Sequence, residues 1–450
     1  MMRKFFAAAI LSVFFAVPIL NAAYGGRVRL DRADGIYKVG ETAVCKVTLL
    51  EDGKPLKGTK ARMTIKIEGK EIETRDFTTT GRPVAFSYTG TKPEWAYFGF
   101  ELLDDNGKPL SGKGVYRHHR KTTIVTEIGA LFSPDEIRTK VKRPADFDAF
   151  WKDRRAKLDA VPVQPKLNVL ECSTPGVKLY AVEVPALGDY PVTGYLAIPV
   201  DAKPKNLPAY VDWASWSPQD ADRRMAINRA KEGAIGFAPT WHGRPVNMGK
   251  SYYNYSTTIK INSGLVGIND RETWCFSGMY YRIMRSLDFV KSLPEWDGKQ
   301  LISVGGSLGG AQSIAAAALD KDVTLAVIKN PCFCEFDGGA SGHTSSIPHS
   351  RPTLTRRIAN GDRRPLRTCA YFDCVNFAPM IRCKTFICTG GTDELCPPSN
   401  VYTVYNAIPE GTEKQMFFNP ATGHYGQIDR SVTPHLKKLF DSVKIKPYVE

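Results

Sequence analysis

The stretch that most constrains this chain reads "LISVGGSLGGAQSIAAAALD". Its apolar start predicts a short buried strand, and its alanine-rich end predicts a helix. Between them, Gly305–Gly309 matches G-x-S-x-G, in which small neighbours let a serine lie on a tight strand-to-helix turn. The helix N-terminus would then direct backbone N–H groups at an oxyanion. A glycine turn that only allows close helix packing is the alternative, but the strand and helix on either side favour a nucleophile at Ser307.

The chain from about residue 165 onward alternates strand and helix patterns. Runs such as "LPAYVDW", "GAIGFAP", "TLAVIKN" and "KTFICTGG" predict buried strands, and "GMYYRIMRSLDFVKSL" predicts a helix. "LYAVEVPAL" and "VTGYLAIP" predict an antiparallel pair at the start of this region. The expected fold class is therefore α/β, with a mostly parallel sheet covered by helices on both faces. Ligands of such sheets bind outside the carboxyl ends of the strands.

The region from 24 to 130 has an all-β pattern. "TAVCKVTLL", "ARMTIKIEG", "PVAFSYTG" and "WAYFGFELL" predict strands, and turn-forming runs such as "EDGKP" and "DDNGKP" separate them. We expect an immunoglobulin-like sandwich that precedes an α/β domain at 131–450. This sandwich either binds carbohydrate or packs against the next domain, and its alternating aromatic residues favour core filling. Asp146 to Ala160 predicts an amphipathic helix at the joint.

The first 23 residues have the organisation of a signal peptide. A basic "MMRK" precedes the apolar "FFAAAILSVFFAVPIL" and the small residues of "NAAYGG". We expect an exported protein, secreted or periplasmic, with no membrane span after signal removal. In an oxidising compartment the ten cysteines form one or two disulfides or remain buried free thiols, and the sequence leaves both open.

Charge and cysteine spacing narrow the classes of ligand. The only tight cysteine pair is Cys332-Phe333-Cys334, and no histidine follows at finger spacing, so we expect no metal site. The net charge of +15 is compatible with an anionic polysaccharide. No basic run is interleaved with stacking aromatics, so we do not expect a nucleic-acid partner.

A serine nucleophile needs a base, and the base needs an orienting acid. In this fold the chain order is serine, acid, histidine. His424 lies in "NPATGHYG" directly after the strand run "QMFFN", and Asp393 lies in "KTFICTGGTDELCPP" after the preceding strand. The alternative for Asp393 is a helix N-cap or an Asx turn. The ordered set of Ser307, Asp393 and His424 predicts a catalytic triad.

Other residues complete or compete for this site. His343 and His349 lie in a Gly/Ser/Pro-rich segment, and His435 follows a helix start, so none of the three is expected to be the base. The candidate oxyanion donors are the backbone N–H groups of Leu308 and of Trp216, which follows "LPAYVDW".

Four segments carry a resemblance to a known family: "RPADFDAFWKD", "YYRIMRSLDFVKSLPEWDGKQLISVGGSLGGAQSIAAAALD", "YFDCVNFAPMIRCKTFICTGGTDELCPPSNVYTVYNAI" and "GHYG". Over about residues 143–440 the chain resembles the acetyl xylan esterase / cephalosporin C deacetylase family of α/β-hydrolases. The resemblance implies that Ser307 is the nucleophile, Asp393 the acid and His424 the base. Trp216 falls where the family has a tyrosine, and Leu308 where it has a glutamine.

The resemblance also implies an activity and a partner. Family members remove acetyl groups from xylo-oligosaccharides and small acetylated molecules without a metal or other cofactor, and many form homo-oligomers. This chain departs from the family at "ASWS", which replaces the family's "HGY" loop, at Leu308, and by its added β-rich domain.

We therefore expect a secreted esterase that hydrolyses O-acetyl esters of plant-type polysaccharides or oligosaccharides through an acyl-enzyme. Two alternatives remain open at this point. The hydrolase could act on a bulkier acyl ester, a uronate ester or a peptide bond, or the protein could be a non-catalytic glycan-binding protein. Trp213, Trp216 and Trp241 either form the wall of a small acyl pocket or belong to the core.

Overall fold

The computed structural model describes residues 23–110, 116–117, 123–217, 219–253, 264–346, 352–424 and 434. All but the last residue of the predicted signal peptide lies outside the described residues. The same holds for His349, for His435 and for most of the predicted C-terminal helix.

The N-terminal region is built from short strands in two main sheets. The strands in chain order are β1 (Tyr24–Leu30), β2 (Ile36–Tyr37), β3 (Thr42–Glu51), β4 (Lys54–Pro55), β5 (Lys57–Ile67), β6 (Lys70–Thr80), β7 (Val84–Thr89), β8 (Glu94–Leu102), β9 (Tyr116–Arg117), β10 (Thr123–Ile124) and β11 (Thr126–Phe132). One sheet joins β1, β3, β4 and β7, and a five-stranded sheet has the order β2-β11-β8-β5-β6. Strands β9 and β10 pair separately.

These two sheets share one apolar core. Cys45, Val47 and Phe86 come from the first sheet, and Met63 and Phe98 come from the five-stranded sheet. Along β3 every second residue is buried, as expected for a strand with one face in the core. Burial of each large apolar side chain contributes roughly 1.5–3 kcal/mol, so the shared core holds the sheets face to face.

Strand β8 differs from the expectation of alternating burial. All nine of its residues are buried. Phe98 and Phe100 enter the core between the two N-terminal sheets, whereas Trp95 and Tyr97 pack with Tyr402 of the C-terminal region. The strand is buried on both faces because each face meets a different part of the protein.

The C-terminal region is organised around a nine-stranded sheet. Its strands are β12 (Lys166–Leu170), β13 (Val177–Val184), β14 (Val192–Pro199), β15 (Leu207–Trp213), β16 (Ile235–Pro239), β17 (Trp296–Gly306), β18 (Leu325–Lys329), β19 (Lys384–Gly390) and β20 (Lys414–Asn419). The spatial order is β12-β13-β14-β16-β15-β17-β18-β19-β20. The first strands pair antiparallel, including the predicted β13–β14 pair, and all neighbours from β16 to β20 are parallel.

Helices cover this sheet and fill its crossovers. They are α1 (Phe147–Asp159), α2 (Arg223–Lys231), α3 (Lys250–Tyr253), α4 (Ser277–Ser292), α5 (Leu308–Leu319), α6 (Gly338–Ser341), α7 (Pro352–Ala359), α8 (Arg364–Cys369), α9 (Cys374–Phe377) and α10 (Pro398–Ala407), with 3-10 turns at Pro134–Glu136 and Ala378–Met380. Helix α1 is one residue shorter at each end than predicted, and Phe147, Phe150, Trp151 and Leu158 form its buried face. The α/β-hydrolase class predicted for this region agrees with the mostly parallel sheet.

Two further expectations concern cysteines and the membrane. All ten cysteines are free, so the disulfide alternative is wrong. Burial raises the pKa of the Cys332, Cys334 and Cys396 thiols well above the ordinary value, which keeps them protonated. Within the described ranges, no helix has the length and apolarity needed to cross a membrane.

Candidate active site

The nucleophile turn lies where β17 ends and α5 begins. Ser307 has φ 56° and ψ −118°, a backbone conformation that residues other than glycine rarely adopt. Three backbone hydrogen bonds hold it there. Its N–H donates to Lys329 O at 2.9 Å, and its carbonyl accepts from Cys332 N–H at 3.1 Å and from Ala311 N–H at 3.2 Å. The strained turn exposes the hydroxyl at the carboxyl edge of the sheet, as G-x-S-x-G predicts.

The glycines of the motif have a steric reason. A Cβ at Gly305 would lie 2.0 Å from Gly309 O, and a Cβ at Gly309 would lie 2.4 Å from Trp213 O. Both positions therefore tolerate only a hydrogen atom. The glycines thus allow helix α5 to approach strands β15 and β17 closely, and the same turn carries Ser307. The packing interpretation and the nucleophile interpretation of the motif are therefore compatible.

His424 lies between Ser307 and Asp393. Its Nε2 is 3.0 Å from Ser307 Oγ, and its Nδ1 is 2.8 Å from Asp393 Oδ2. A carboxylate can only accept, so Nδ1 carries the proton and Nε2 is left to accept from the serine hydroxyl. The His424 side chain is 9% exposed and that of Asp393 is fully buried. The structure thus brings together the three residues that the sequence predicted as a triad.

The electrostatics of this pair favour a protonated imidazole. Burial acts to lower the pKa of His424, but the charge of Asp393 and its hydrogen bond outweigh burial, and the pKa lies above the ordinary 6.5. A base that is stabilised when it gains a proton is suited to take one from a hydroxyl and return it later.

Asp393 uses its two oxygens for different purposes. Oδ2 pairs with His424, and Oδ1 accepts from the N–H groups of Leu395 and Cys396 at 2.9 and 2.8 Å. The second pattern is that of an Asx turn. The turn was the alternative to an acid role, and here it fixes the carboxylate that faces the histidine.

The two candidate oxyanion donors lie on either side of the serine turn. Leu308 is the first residue of α5. The first backbone N–H groups of a helix point outward from its N-terminus. Trp216 lies in the loop after β15, and two side chains tie this loop to the turn. Ser215 Oγ donates to Gly306 O at 3.0 Å, and Gln312 Nε2 donates to Ala214 O at 2.8 Å. Neither Ser215 nor Gln312 was singled out by a sequence pattern.

The three candidate pocket tryptophans have different environments. Trp216 is partly exposed, and its ring lies 4.9 Å from Phe276 and 5.8 Å from Phe333 between centroids. Trp213 is a core residue whose Nε1 donates to Ser303 Oγ at 2.8 Å. Trp241 is also buried, and its Nε1 donates to Ser217 O. Trp213 and Trp241 therefore belong to the core, which is one of the two alternatives that the sequence left open.

One group of potential metal ligands overlaps the triad. Among the described residues, Asp393, Cys396 and His424 form the one group of at least three whose ligand atoms lie within 4.8 Å of each other. Both ring nitrogens of His424 already hydrogen-bond within the triad. His343 lies elsewhere, with Nδ1 2.7 Å from buried Glu335 Oε2. The donor set is thus that of a hydrogen-bonded triad.

Comparison with known proteins identifies a family. The model of the acetyl xylan esterase (AXE1) family matches residues 132–431. The acetyl esterase Axe7A of Xylanibacter ruminicola is 29% identical over 413 residues, covering 90% of this chain and 88% of that protein. This match is too long to lie within residues 132–450 alone, so it includes part of the N-terminal β region.

Two solved structures share their fold with more than two thirds of this chain. The acetyl xylan esterase from Paenibacillus sp. R4 has a TM-score of 0.60 at 23% identity, covering 69% of this chain and 98% of that one. Acetyl xylan esterase 1 from Thermoanaerobacterium sp. JW/SL YS485 has a TM-score of 0.54 at 19% identity, covering 68% and 98%. The chain belongs to the acetyl xylan esterase family of α/β-hydrolases and is an esterase.

Proposed function

We propose that this protein is an exported carbohydrate esterase that removes O-acetyl groups from plant-type polysaccharides through a Ser-His-Asp acyl-enzyme mechanism. The observation that carries the proposal is the continuous hydrogen-bonded series from Asp393 through His424 to Ser307. Family membership supports acetyl esters as the substrate class, since the similar proteins are named acetyl esterase and acetyl xylan esterases.

In the first half-reaction Ser307 Oγ attacks the acetyl carbonyl carbon while His424 Nε2 takes the hydroxyl proton. Asp393 stabilises the imidazolium that forms. The carbonyl oxygen becomes an oxyanion, and the backbone N–H groups of Leu308 and Trp216 are assigned as its donors. The bond from carbonyl carbon to sugar oxygen then breaks, and His424 gives its proton to the departing sugar oxygen.

The second half-reaction hydrolyses the acetyl-serine. Water attacks the acetyl carbon as His424 Nε2 takes one of its protons. The tetrahedral species collapses, the bond to Ser307 Oγ breaks, and His424 returns the proton to that oxygen. Acetic acid leaves and gives its proton to water, and every group of the protein regains its starting protonation state.

Trp216 supports a small acyl group. Its ring packs edge-on against Phe276 and Phe333 and is partly exposed beside the serine turn. A rigid aromatic wall at this position restricts the depth available to an acyl chain. The rival within the same fold is an esterase for bulkier acyl or uronate esters. Comparing acetyl, butyryl and feruloyl esters separates the two, and a strong preference for the larger groups would reject the acetyl assignment.

The remaining parts of the proposal concern the organisation of the chain. Residues 24–130 are assigned to an immunoglobulin-like sandwich, supported by two sheets with a common core. Residues 131–450 are assigned to the hydrolase domain. Export follows from the predicted signal peptide, and N-terminal sequencing of the protein recovered from a culture medium or periplasm tests it. A mature chain that still begins at Met1 would contradict export.

The direct test measures acetate released from acetylated xylan, pectin and mannan by the parent protein and by Ser307→Ala. We expect release from at least one polymer and a loss of several orders of magnitude, about 10³-fold or more, in the variant. Equal turnover by a clean Ser307→Ala preparation would contradict the mechanism. Glycan binding without release by the parent would instead support the non-catalytic alternative.

A further inference from the structure

We propose that the five-stranded N-terminal sheet positions the acid and the base, with Trp95, Lys66 and Gly129 as positioning residues. The inference rests on the proposed function, because it assigns a role in that reaction. It makes the N-terminal region a working part of the active site, in contrast to a spacer or an appended sugar-binding module.

Lys66, Tyr97 and Gly129 form one row across three neighbouring strands. Lys66 of β5 is paired with Tyr97 of β8, and Tyr97 is paired with Gly129 of β11. Trp95 lies two residues before Tyr97, so both side chains point to the same face of the sheet. Trp95 and Tyr97 pack with Tyr402 on this face, whereas Phe98 enters the core on the other. The row therefore faces the hydrolase sheet.

The acid loop is held on both sides of Asp393. Trp95 is fully buried, and its Nε1 donates to Gly391 O at 2.7 Å, two residues before the acid. Lys66 Nζ lies 2.6 Å from Glu394 Oε1, one residue after the acid. The two contacts come from adjacent strands and leave little freedom for the carboxylate between them.

The base loop contacts the same face. Gly129 N–H donates to Pro420 O at 2.8 Å, four residues before His424. A Cβ at Gly129 would lie 1.9 Å from Gly391 O, so this position permits only glycine without movement of the acid loop. One strand position thus touches both loops that carry the histidine and its acid.

Two backbone hydrogen bonds couple the loops to each other. Gly391 N–H donates to Asn419 O at 2.8 Å, and Thr392 N–H donates to Thr422 O at 3.0 Å. A displacement of Gly391 is therefore passed to the segment that precedes His424. The 2.8 Å contact between His424 and Asp393 depends on the relative position of these loops.

A carboxylate of the N-terminal sheet also lies near the base. Glu127 Oε2 accepts from Tyr97 Oη at 2.6 Å. A Cβ at Gly423 would lie 3.9 Å from Glu127 Oε1, which places this carboxylate beside the residue before His424. Among the described residues, titratable groups near the base include Asp393 and Cys396 of the acid loop and Glu127 of β11.

Substituting Trp95→Phe tests the role of the indole N–H, because a smaller aromatic ring remains in the core and the donor to Gly391 O is lost. Misplacement of a reacting group by about 1 Å can cost about 100-fold in rate. We expect kcat for 4-nitrophenyl acetate to fall about 10- to 100-fold, with KM changed by less than about twofold. A weaker contact between Asp393 and His424 would also move the acidic limb of the kcat/KM profile to lower pH.

Trp151→Phe is the matched control. Trp151 is 2% exposed, and its Nε1 donates to a backbone carbonyl, that of Tyr371, at 3.1 Å. The control loses the same kind of hydrogen bond, but its acceptor carbonyl lies outside the acid and base loops. The proposal expects an unchanged kcat and pH profile for Trp151→Phe. Equal kinetics for both tryptophan variants would overturn it.

A second pair of variants avoids the buried core. Lys66→Met removes the partner of Glu394, and Lys291→Met removes the partner of Asp320 and Asp322 on the opposite edge of the hydrolase sheet. The two lysine side chains are similarly exposed, at 17% and 21%. We expect only Lys66→Met to lower kcat, by about three- to tenfold, because a small displacement of Asp393 lowers the rate only moderately. No difference between the two would count against positioning even if Trp95→Phe failed to fold.

A readout that does not depend on the ester separates this inference from the proposed function. The rate at which a fluorophosphonate labels Ser307 reports the activated serine whatever the natural substrate is. If the parent is labelled but releases no acetate, the substrate assignment fails and positioning is still measured by labelling. If the parent releases acetate and Trp95→Phe and Lys66→Met are labelled at the parent rate, positioning fails alone.

Discussion

Two surfaces meet at the loop from Gly390 to Cys396, and they differ in how they contribute to the site. The nine-stranded sheet contributes strand ends that are followed by reactive side chains: Ser307 follows β17, and Asp393 lies in the loop after β19. The five-stranded sheet contributes strand residues, of which Trp95 contacts the backbone of the Asp393 loop and Gly129 donates to the backbone of the segment before His424. Reactive groups come from the first surface, and the alignment of those groups depends on the second.

This difference explains which parts were visible in the sequence. A strand end carries a motif, since the turn needs glycines and the reactive residue has a fixed chain order. A packing face has only an apolar periodicity in the sequence. That periodicity predicts that Trp95 is buried, but it does not predict which group the Trp95 N–H contacts. The triad was therefore predicted residue by residue, whereas its support from residues more than 250 positions away in the chain was not.

The largest effect is expected on the strand-end side, from Asp393→Asn. Removal of the carboxylate charge disfavours both the required tautomer and the imidazolium, so kcat should fall about 10³- to 10⁴-fold. Asp393 holds the pKa of His424 above its ordinary value, and activity is lost as pH falls through that pKa. The acidic limb of kcat/KM should therefore move to lower pH in the variant. A limb that stays in place would mean that another group sets it.

A smaller effect is expected on the packing side, from Gly129→Ala. The added methyl group would lie 1.9 Å from Gly391 O, so the two sheets must separate locally. We expect overpacking to lower the free energy of unfolding by about 1–3 kcal/mol, and kcat to fall by more than tenfold, as expected for a misplaced triad.

Gly25→Ala is the control for this substitution, because a Cβ there meets nothing within 4 Å. Urea unfolding and kcat for acetate release measure both effects. If Gly129→Ala loses stability but keeps the parent kcat, the packing surface supports only the fold.

The substrate-facing wall should change specificity more than rate. Trp216→Ala removes the ring that packs on Phe276 and Phe333. We expect the ratio of butyrate to acetate ester turnover, compared as kcat/KM, to rise about tenfold, within the range set by one or two methylene groups. Trp296→Ala is a control at the opposite end of β17. An unchanged ratio in Trp216→Ala would remove this residue from the acyl pocket.

The smallest effect is expected from Leu308→Met. Leu308 is fully buried, and its assigned role uses the backbone N–H. A side chain of similar size keeps that donor, so we expect kcat/KM within about twofold of the parent and a stability loss below about 1.5 kcal/mol. A large loss of kcat with native stability would show that the side chain at 308 takes part in the reaction.

Several elements could not be predicted, for identifiable reasons. Strand β6 is mostly exposed and reads "KEIETRDFTTT", so it lacks an apolar signal. Helices α6 and α9 have four residues each, too few for a 3.6-residue period to show. The sequence left Trp213 and Trp241 open between an acyl-pocket wall and the core, because a tryptophan fits both. In the structure both rings are buried, and their N–H groups donate to Ser303 and Ser217.

In the proposed mechanism, Ser307 carries the acetyl group during turnover. Acid quenching of the parent protein during steady-state turnover of an acetyl ester, followed by mass spectrometry of its peptides, tests this most directly. We expect one acetyl group on the peptide that contains Ser307, and none in Ser307→Ala treated in the same way. An acetyl group on a different residue, or acetate release by Ser307→Ala at the parent rate, would contradict it.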